Sequence, residues 1–376
     1  VQPYSASQKQ FVKFTPKSKS GFYDTVKERV KAYFQNNHII KNANTKMRIK
    51  TLVMISLYVV PYLVMVCGLA AHNTWFFISL WFIMGWGIVG IGASIMHDSN
   101  HGAYSTSKTT NYFLGSLLNY VGGYSLNWRI QHNILHHTYT NLHGLDEDID
   151  ASMLIRLSPH KKRLAIHKYQ YIYAWFLYAL MNLFWITVKD YRNLIRYKKA
   201  NLLKKERISF GKAIFLLTLY KVLYFAYILV LPILFSGMPW YWVLAGFVLM
   251  HLICGLALAC IFQPAHVLEH SEYPMAQEGK IENNWALHQM LNTTDFSPKS
   301  KVLSWFIGGL NYQIEHHLFP EICHVHYPGI APIVKKTAEE YGIPYHVIPT
   351  FAGALIAHGK MLKFLGTPES DNFVAI

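Results

Sequence analysis

Apolar residues in this chain gather in long uninterrupted runs. They do not show the alternating or three-to-four spacing of a soluble core. Residues 49–71 and 74–96 form one pair of runs, and residues 213–235 and 240–262 form a second. Each is near the ~20 residues that a helix needs to cross a bilayer. His72 and Asn73 leave room only for a tight turn in the first pair, and Ser236-Gly237-Met238-Pro239 makes the turn in the second. The pattern predicts four transmembrane helices arranged as two hairpins. A fifth run, 171–188, is aromatic and contains Asn182. Lys161, Lys162, Arg163 and Lys168 precede it, and Lys189, Arg192 and Arg196 follow it. A spanning helix carries its positive excess on one side, so this run is expected to lie in the membrane interface.

The polar stretches orient the hairpins. Lys41, Lys46, Arg48 and Lys50 precede the first run, and Lys198, Lys199, Lys204, Lys205 and Arg207 lie between the pairs. Neither hairpin turn holds a Lys or Arg. Both termini and the middle segment are therefore expected on the cytosolic side. Residues 1–48 read as a basic arm, 49–350 as the main domain and 351–376 as a tail, with a polar region beginning near residue 263. The opening VQPYSASQKQ does not read as a signal peptide, so the first membrane helix is expected to serve as the insertion signal.

Composition sharpens this picture. The chain is 52% hydrophobic and only 15% charged, against about a quarter charged in soluble domains. Its formal charge of +15 suits anionic lipid or a phosphate-bearing ligand; with so much apolar sequence, nucleic acid is not an expected partner. Cys67, Cys254, Cys260 and Cys323 form no CxxC pair and no disulfide framework.

The candidate chemistry lies in histidines. HDSNH supplies His97 and His101 where the second run ends, and HNILHH supplies His132, His136 and His137. HVLEH supplies His266 and His270 after the fourth run, and QIEHH supplies Gln313, His316 and His317. On a helix, residues i and i+4 share a face, so His97 with His101, and His132 with His136, can approach one metal region. Adjacent histidines diverge by about 100° and can address two ions. The four clusters hold nine imidazoles, and even eight suit two ions with open positions better than one closed site. With four spans, every cluster falls on the same membrane face. His38, His143, His160, His167 and His358 read as packed or surface residues, and His251, in mid-helix, as a bundle-facing, hydrogen-bonded one.

Imidazole suits zinc, copper, iron and nickel, and the absence of a thiolate cluster excludes an iron–sulfur centre. Nitrogen ligands beside a bilayer point to oxygen activation on an apolar substrate. Here the motifs become specific. HDSNHGAYS, HNILHHTYTN, FQPAHVLE and NYQIEHHLFP resemble the histidine boxes of the membrane fatty acid desaturase family. The stretch from Trp285 to Pro344 is most similar to the bacterial linoleoyl-CoA (acyl-CoA) branch, and the likeness runs from about residue 45 to 350. It implies four membrane helices under a cytosolic helical cap that carries a di-iron site. It also implies oxygen-dependent removal of two hydrogens from an acyl chain, with O2 as co-substrate.

Box by box, the resemblance assigns His97, His101, His132, His136, His137, His266, His316 and His317 as metal ligands, with no separate catalytic residue. Gln313 stands where many members carry histidine and resembles the front-end subgroup; it is a candidate ligand or an orienting residue. His270 and His288 are further candidates. Asp98, Glu269 and Glu315, and the run Asp146, Glu147, Asp148 and Asp150, can accept the second ring N–H of a ligating histidine. No haem motif and no Gly-rich dinucleotide fingerprint is present, so electrons are expected from a ferredoxin or a cytochrome b5 with its reductase. The basic middle segment can dock an acidic carrier or coenzyme A phosphates. The expected setting is a bacterial inner membrane, with fatty acyl substrate and membrane lipids as partners. The alternatives are a di-iron lipid or alkane hydroxylase and, further off, a metal transporter, which would place its ligands near mid-membrane.

Overall fold

A computed structural model describes residues 12–14, 21–150 and 153–373. The described chain is helical almost throughout. Its sheet is confined to two short parallel pairs, Lys13–Phe14 with Lys280–Ile281 and Asp295–Phe296 with Val347–Ile348. The chain divides into two compact units. A membrane unit comprises residues 43–129 and 175–259, and a polar unit comprises the described residues of 1–42, 130–174 and 260–376.

Among the described residues, five helices are long and apolar enough to cross a membrane: Thr45–Val66, Thr74–Asn100, Ala165–Lys199, Phe210–Phe235 and Trp240–His266. Four of them are the predicted hairpin helices, with ends reset by local chemistry. The first starts at Thr45 because the Asn44 side chain accepts the Met47 N–H at 3.1 Å, satisfying one of the first-turn donors. It ends at Val66, ahead of Gly68 at φ 74°. Asn73 and Ser209 cap two others in the same way. The helix after the second hairpin turn continues to His266.

The fifth helix is longer than its apolar run. A π-helical turn at Trp185–Lys189 leads into Asp190–Lys199, which buries Asp190, Asn193, Leu194 and Tyr197 and exposes Arg192, Lys198 and Lys199. Lys189 lies 5.1 Å from the Trp185 ring centroid and Arg192 5.7 Å from that of Phe184. The basic flank thus folds back along aromatic rings as helix.

In the membrane unit the first hairpin packs along its length. Close approach is set at Gly87, where a Cβ would come within 2.8 Å of the Tyr58 backbone nitrogen. One buried ion pair stands among the apolar side chains. Lys221 Nζ lies 2.6 Å from Asp190 Oδ2 and donates to the Gly122 carbonyl at 2.6 Å. Asp190 also receives Asn127 Nδ2 and Trp185 Nε1, each at 3.1 Å. A buried charge is tolerable only when so enclosed by partners.

In the polar unit, Phe22–Asn36 packs on Tyr327–Glu340, and both bury apolar faces against Trp285–Asn292 and Gln313–Leu318. Phe351–Leu365 forms another helix of this unit. Its end is fixed by Arg156, which is buried and donates to the carbonyls of Leu365 at 2.6 Å and Lys161 at 2.7 Å and pairs with Asp371 at 2.9 Å.

Candidate metal centre

Six histidines of the polar unit converge. His132, His136 and His137 come from the second box, His266 from the end of the last long helix, and His316 and His317 from the helix Gln313–Leu318. All six are buried. The nitrogens of His136, His266 and His317 lie within 4.8 Å of one another, and so do those of His137, His316 and His317. His317 belongs to both sets, while His136 and His137 fall into different ones. A third set joins His132, His136 and Asp148.

Local backbone geometry explains how one short segment supplies three rings. Arg129–His136 is π-helical, not α-helical. Closing the ladder at i→i+5 brings residue i+5, as well as i+4, back to the face of residue i. His132 accordingly meets both neighbours, with ring centroids 5.3 Å from His136 and 4.6 Å from His137.

Each set is anchored from behind. His136 Nδ1 is 3.1 Å from Asp146 Oδ2 and 3.3 Å from Asp148. Asp146 is held in turn by the backbone N–H groups of Asn141 at 2.8 Å and Asp148 at 2.9 Å. His266 Nδ1 donates to the Asn292 carbonyl at 3.0 Å, His316 Nδ1 faces the Tyr327 hydroxyl at 3.2 Å, and His317 Nδ1 lies 2.8 Å from Gln289 Oε1. Anchoring Nδ1 leaves Nε2 as the ligating nitrogen. Nε2 of His266 and of His317 is buried with no hydrogen-bond partner. A polar atom left so is costly unless an ion takes its lone pair. Buried imidazoles with inward lone pairs fit a divalent transition metal such as iron.

The charges agree. Burial would lower the His136 pKa, but Asp146 and Asp148 outweigh it and hold the ring up to about 9. His317 is pushed well below its usual value by burial and by the neighbouring imidazoles, so its ring is neutral.

The first-box pair sits in the membrane unit. Its segment is also irregular: a π-helical stretch, Ile91–Met96, leads into His97. The His97 and His101 rings are 4.8 Å apart and both pack on Trp128, at 5.5 and 5.7 Å. The residue before that tryptophan, Asn127, is the one held by the Asp190–Lys221 pair. Asn100, within the box, donates to the Gly115 carbonyl at 3.1 Å.

The remaining candidates join none of the three sets named above. His270 bonds Thr294 Oγ1 at 2.7 Å and stacks on His346 at 4.0 Å. His288 is buried beside Phe14, its ring centroid 5.3 Å away, and joins none of the convergent sets. Gln313 is buried beside His266 and donates to the Leu310 carbonyl at 2.7 Å. Asp98 Oδ1 is 3.9 Å from His97 Nδ1. Glu269 is exposed, and Asp150 lies near His143 and Lys161.

Glu315 turns toward Tyr345, whose hydroxyl is 2.9 Å from Glu315 Oε1 and 2.8 Å from Asp295 Oδ2. One phenol proton cannot serve both carboxyls. Burial raises Asp295 to about 6 and, with Asp295 beside it, raises Glu315 well above the usual range. Asp295 Oδ1 accepts the Ile314 N–H at 3.0 Å, so this cluster grips the first turn of the third-box helix.

Residues 73–349 match the family described as fatty acid desaturase. The chain belongs to that family. Among its relatives, an sn-1 linoleoyl-lipid 6-desaturase of Arthrospira platensis is 34% identical over 93% of this chain and 94% of its own length. An acyl-lipid (8-3)-desaturase of Physcomitrium patens is 37% identical over 96% of this chain and 75% of its own. The Synechocystis sn-1 linoleoyl-lipid 6-desaturase is 32% identical over 94% and 98%. This desaturase is thus a membrane oxidoreductase that introduces double bonds into fatty acyl chains, and its family implies iron. Sequence reasoning missed Gln289 and Asn292, the residues that anchor His317 and His266. Both lie in WALHQMLN, where His288 drew the attention; their positions three apart on one helix were the available signal.

Proposed function

We propose that the protein is a front-end desaturase acting on the acyl chain of a membrane lipid, and that His97, His101, His132, His136, His137, His266, His316 and His317 hold two irons. The observation that carries this reading is the set His136, His266 and His317, three buried rings each fixed through Nδ1 to a different part of the polar unit. His97 and His101 join the assignment on their box motif and their shared packing against Trp128. Bound iron would supply the oxygen activation and hydrogen abstraction that an unactivated C–H bond requires. The chain's own residues orient the rings: Asp146 and Asp148 hold His136, the Asn292 carbonyl holds His266, and Gln289 holds His317. Gln313 is assigned to positioning beside His266.

An acyl-lipid carrier, in place of coenzyme A, is supported by relatives named as lipid desaturases along most of the chain. Electrons are assigned to a separate ferredoxin or cytochrome b5 type donor, docked by the basic segment between the hairpins. The positive polar stretches favour a cytosolic active face in a bacterial inner membrane. Basic flanks at both ends of Ala165–Lys199 favour an interfacial helix and four spans. The test is lipid analysis of an expressing host fed linoleate. A new double bond on the carboxyl side of the existing ones supports the proposal. A hydroxylated chain would replace it with the hydroxylase alternative.

A further inference from the structure

We infer that Gln289 selects the metal-binding tautomer of His317 and couples the second histidine box to the third; the inference rests on the metal assignment above. Gln289 is completely buried on the helix Trp285–Asn292. Its Oε1 lies 2.8 Å from His317 Nδ1 and 2.8 Å from Thr140 Oγ1. Thr140, four residues after His136, has a second acceptor in reach, since its Oγ1 is 2.8 Å from the His136 carbonyl.

These four groups admit two consistent bonding patterns, because an amide can present either end and a neutral imidazole either tautomer. In the first, Gln289 Oε1 accepts from both His317 Nδ1–H and Thr140 Oγ1–H. The Nε2 lone pair of His317 is then free for a metal, and Gln289 Nε2 has no partner in the protein interior. In the second, the amide is turned over. Gln289 Nε2 donates to Thr140 Oγ1 and to His317 Nδ1, Thr140 donates to the His136 carbonyl, and the His317 proton sits on Nε2, where it blocks a metal. The second pattern makes three hydrogen bonds and the first makes two. The metal-free protein therefore favours the blocked tautomer, and freeing Nε2 for a metal would require the amide to turn over. His317 is the imidazole shared by both convergent sets, so one amide governs both, and through Thr140 the change reaches the backbone of His136.

The choice of acceptor or donor at position 289 is thus what a test must vary. Gln289→Glu offers His317 only acceptor oxygens when ionised and removes the turned-over pattern. Gln289→Met keeps volume and burial but removes the acceptor. Thr140→Val removes the hydroxyl that favours the blocked pattern. Full-length proteins in detergent are stripped of metal, reloaded with iron(II) and competed with a chelator; cobalt(II) loading gives a ligand-field spectrum independent of turnover. Gln289→Glu and Thr140→Val are expected to hold iron at least as tightly as the unaltered protein. Gln289→Met should bind about 10- to 100-fold more weakly, the range for losing a partner of a ligating histidine, with a shifted cobalt spectrum. Thermal unfolding of the metal-free forms checks that each variant folds, and Thr140→Val decides the matter if a position-289 variant does not. Equal weakening in Gln289→Glu and Gln289→Met, or weakening in Thr140→Val, would reduce Gln289 to packing and overturn the inference. If the unaltered protein binds no iron, the metal assignment itself fails, which is a different result.

Discussion

Two buried histidines, one in each unit, show what separates a ligand from a packed residue. His251, in the membrane unit, lies on a long apolar helix and is fully buried. Its Nδ1 is 2.8 Å from Asn182 Nδ2 and its Nε2 is 2.7 Å from the Tyr224 hydroxyl. Both ring nitrogens are used inside the protein. His317, in the polar unit, is equally buried, yet only Nδ1 is satisfied and Nε2 is left over among five other imidazoles. Burial alone therefore marks neither role. The mark of a ligand is one nitrogen anchored and one unused, repeated on several rings that face each other.

The largest effect that would break this comparison is at the shared ring. His317→Ala should abolish iron retention and desaturation together, since both convergent sets lose a member; metal analysis and product assay read it directly. Next comes the anchor behind His136. Asp146→Asn should weaken iron binding about 10- to 100-fold and alter its pH dependence. In the metal-free protein His136 carries a proton up to about pH 9, and iron must displace it. Uptake by the unaltered protein should rise with pH until about 9, whereas in the Asn variant the rise should end at a lower pH.

His251→Phe should leave iron content unchanged and cost only stability. The Asn182 and Tyr224 groups would be left unpaired, at about 1–3 kcal/mol each, measured as a lower unfolding temperature. Loss of iron in this variant would erase the distinction drawn above.

The smallest effect concerns the Glu315 cluster. A carboxyl whose folded pKa is raised binds its proton more tightly in the folded state, so its contribution to stability is full at low pH. It is lost as pH rises from the unfolded carboxyl range near ~4 through the raised folded value. This contribution to the stability of the metal-free protein should fall with rising pH, and Glu315→Gln, which keeps a donor toward Tyr345 and Asp295, should remove that component of the pH dependence in thermal melts.

The hairpins and the histidine boxes were legible because each is a local signal. Twenty apolar residues have one low-energy arrangement in lipid, and HxxxHH is short enough to read directly. The fifth helix was read only over its apolar part, because the basic residues from Lys189 onward end the apolar pattern while the helix runs on to Lys199. The π-helical segments before His97 and through His132 were not legible. They change the ladder from i→i+4 to i→i+5 with only Gly92 in the first and no Gly or Pro in the second to announce them, and they alter which histidines share a face. The anchors were read in part. Asp146 and Asp148 lie close to the second box in sequence, whereas Gln289, Asn292 and Tyr327 reach their histidines through tertiary packing. Lys221 passed as an ordinary residue of an apolar run, although Asp190 and the Gly122 carbonyl enclose its charge.

The central claim is that convergent histidines with a leftover nitrogen hold metal and that a histidine with both nitrogens satisfied, such as His251, does not. Iron per chain, measured on the purified unaltered, His317→Ala and His251→Phe proteins prepared side by side, tests it most directly. The account predicts two irons in the first, none retained in the second and two again in the third. Iron kept by His317→Ala, or lost equally by His251→Phe, would contradict it.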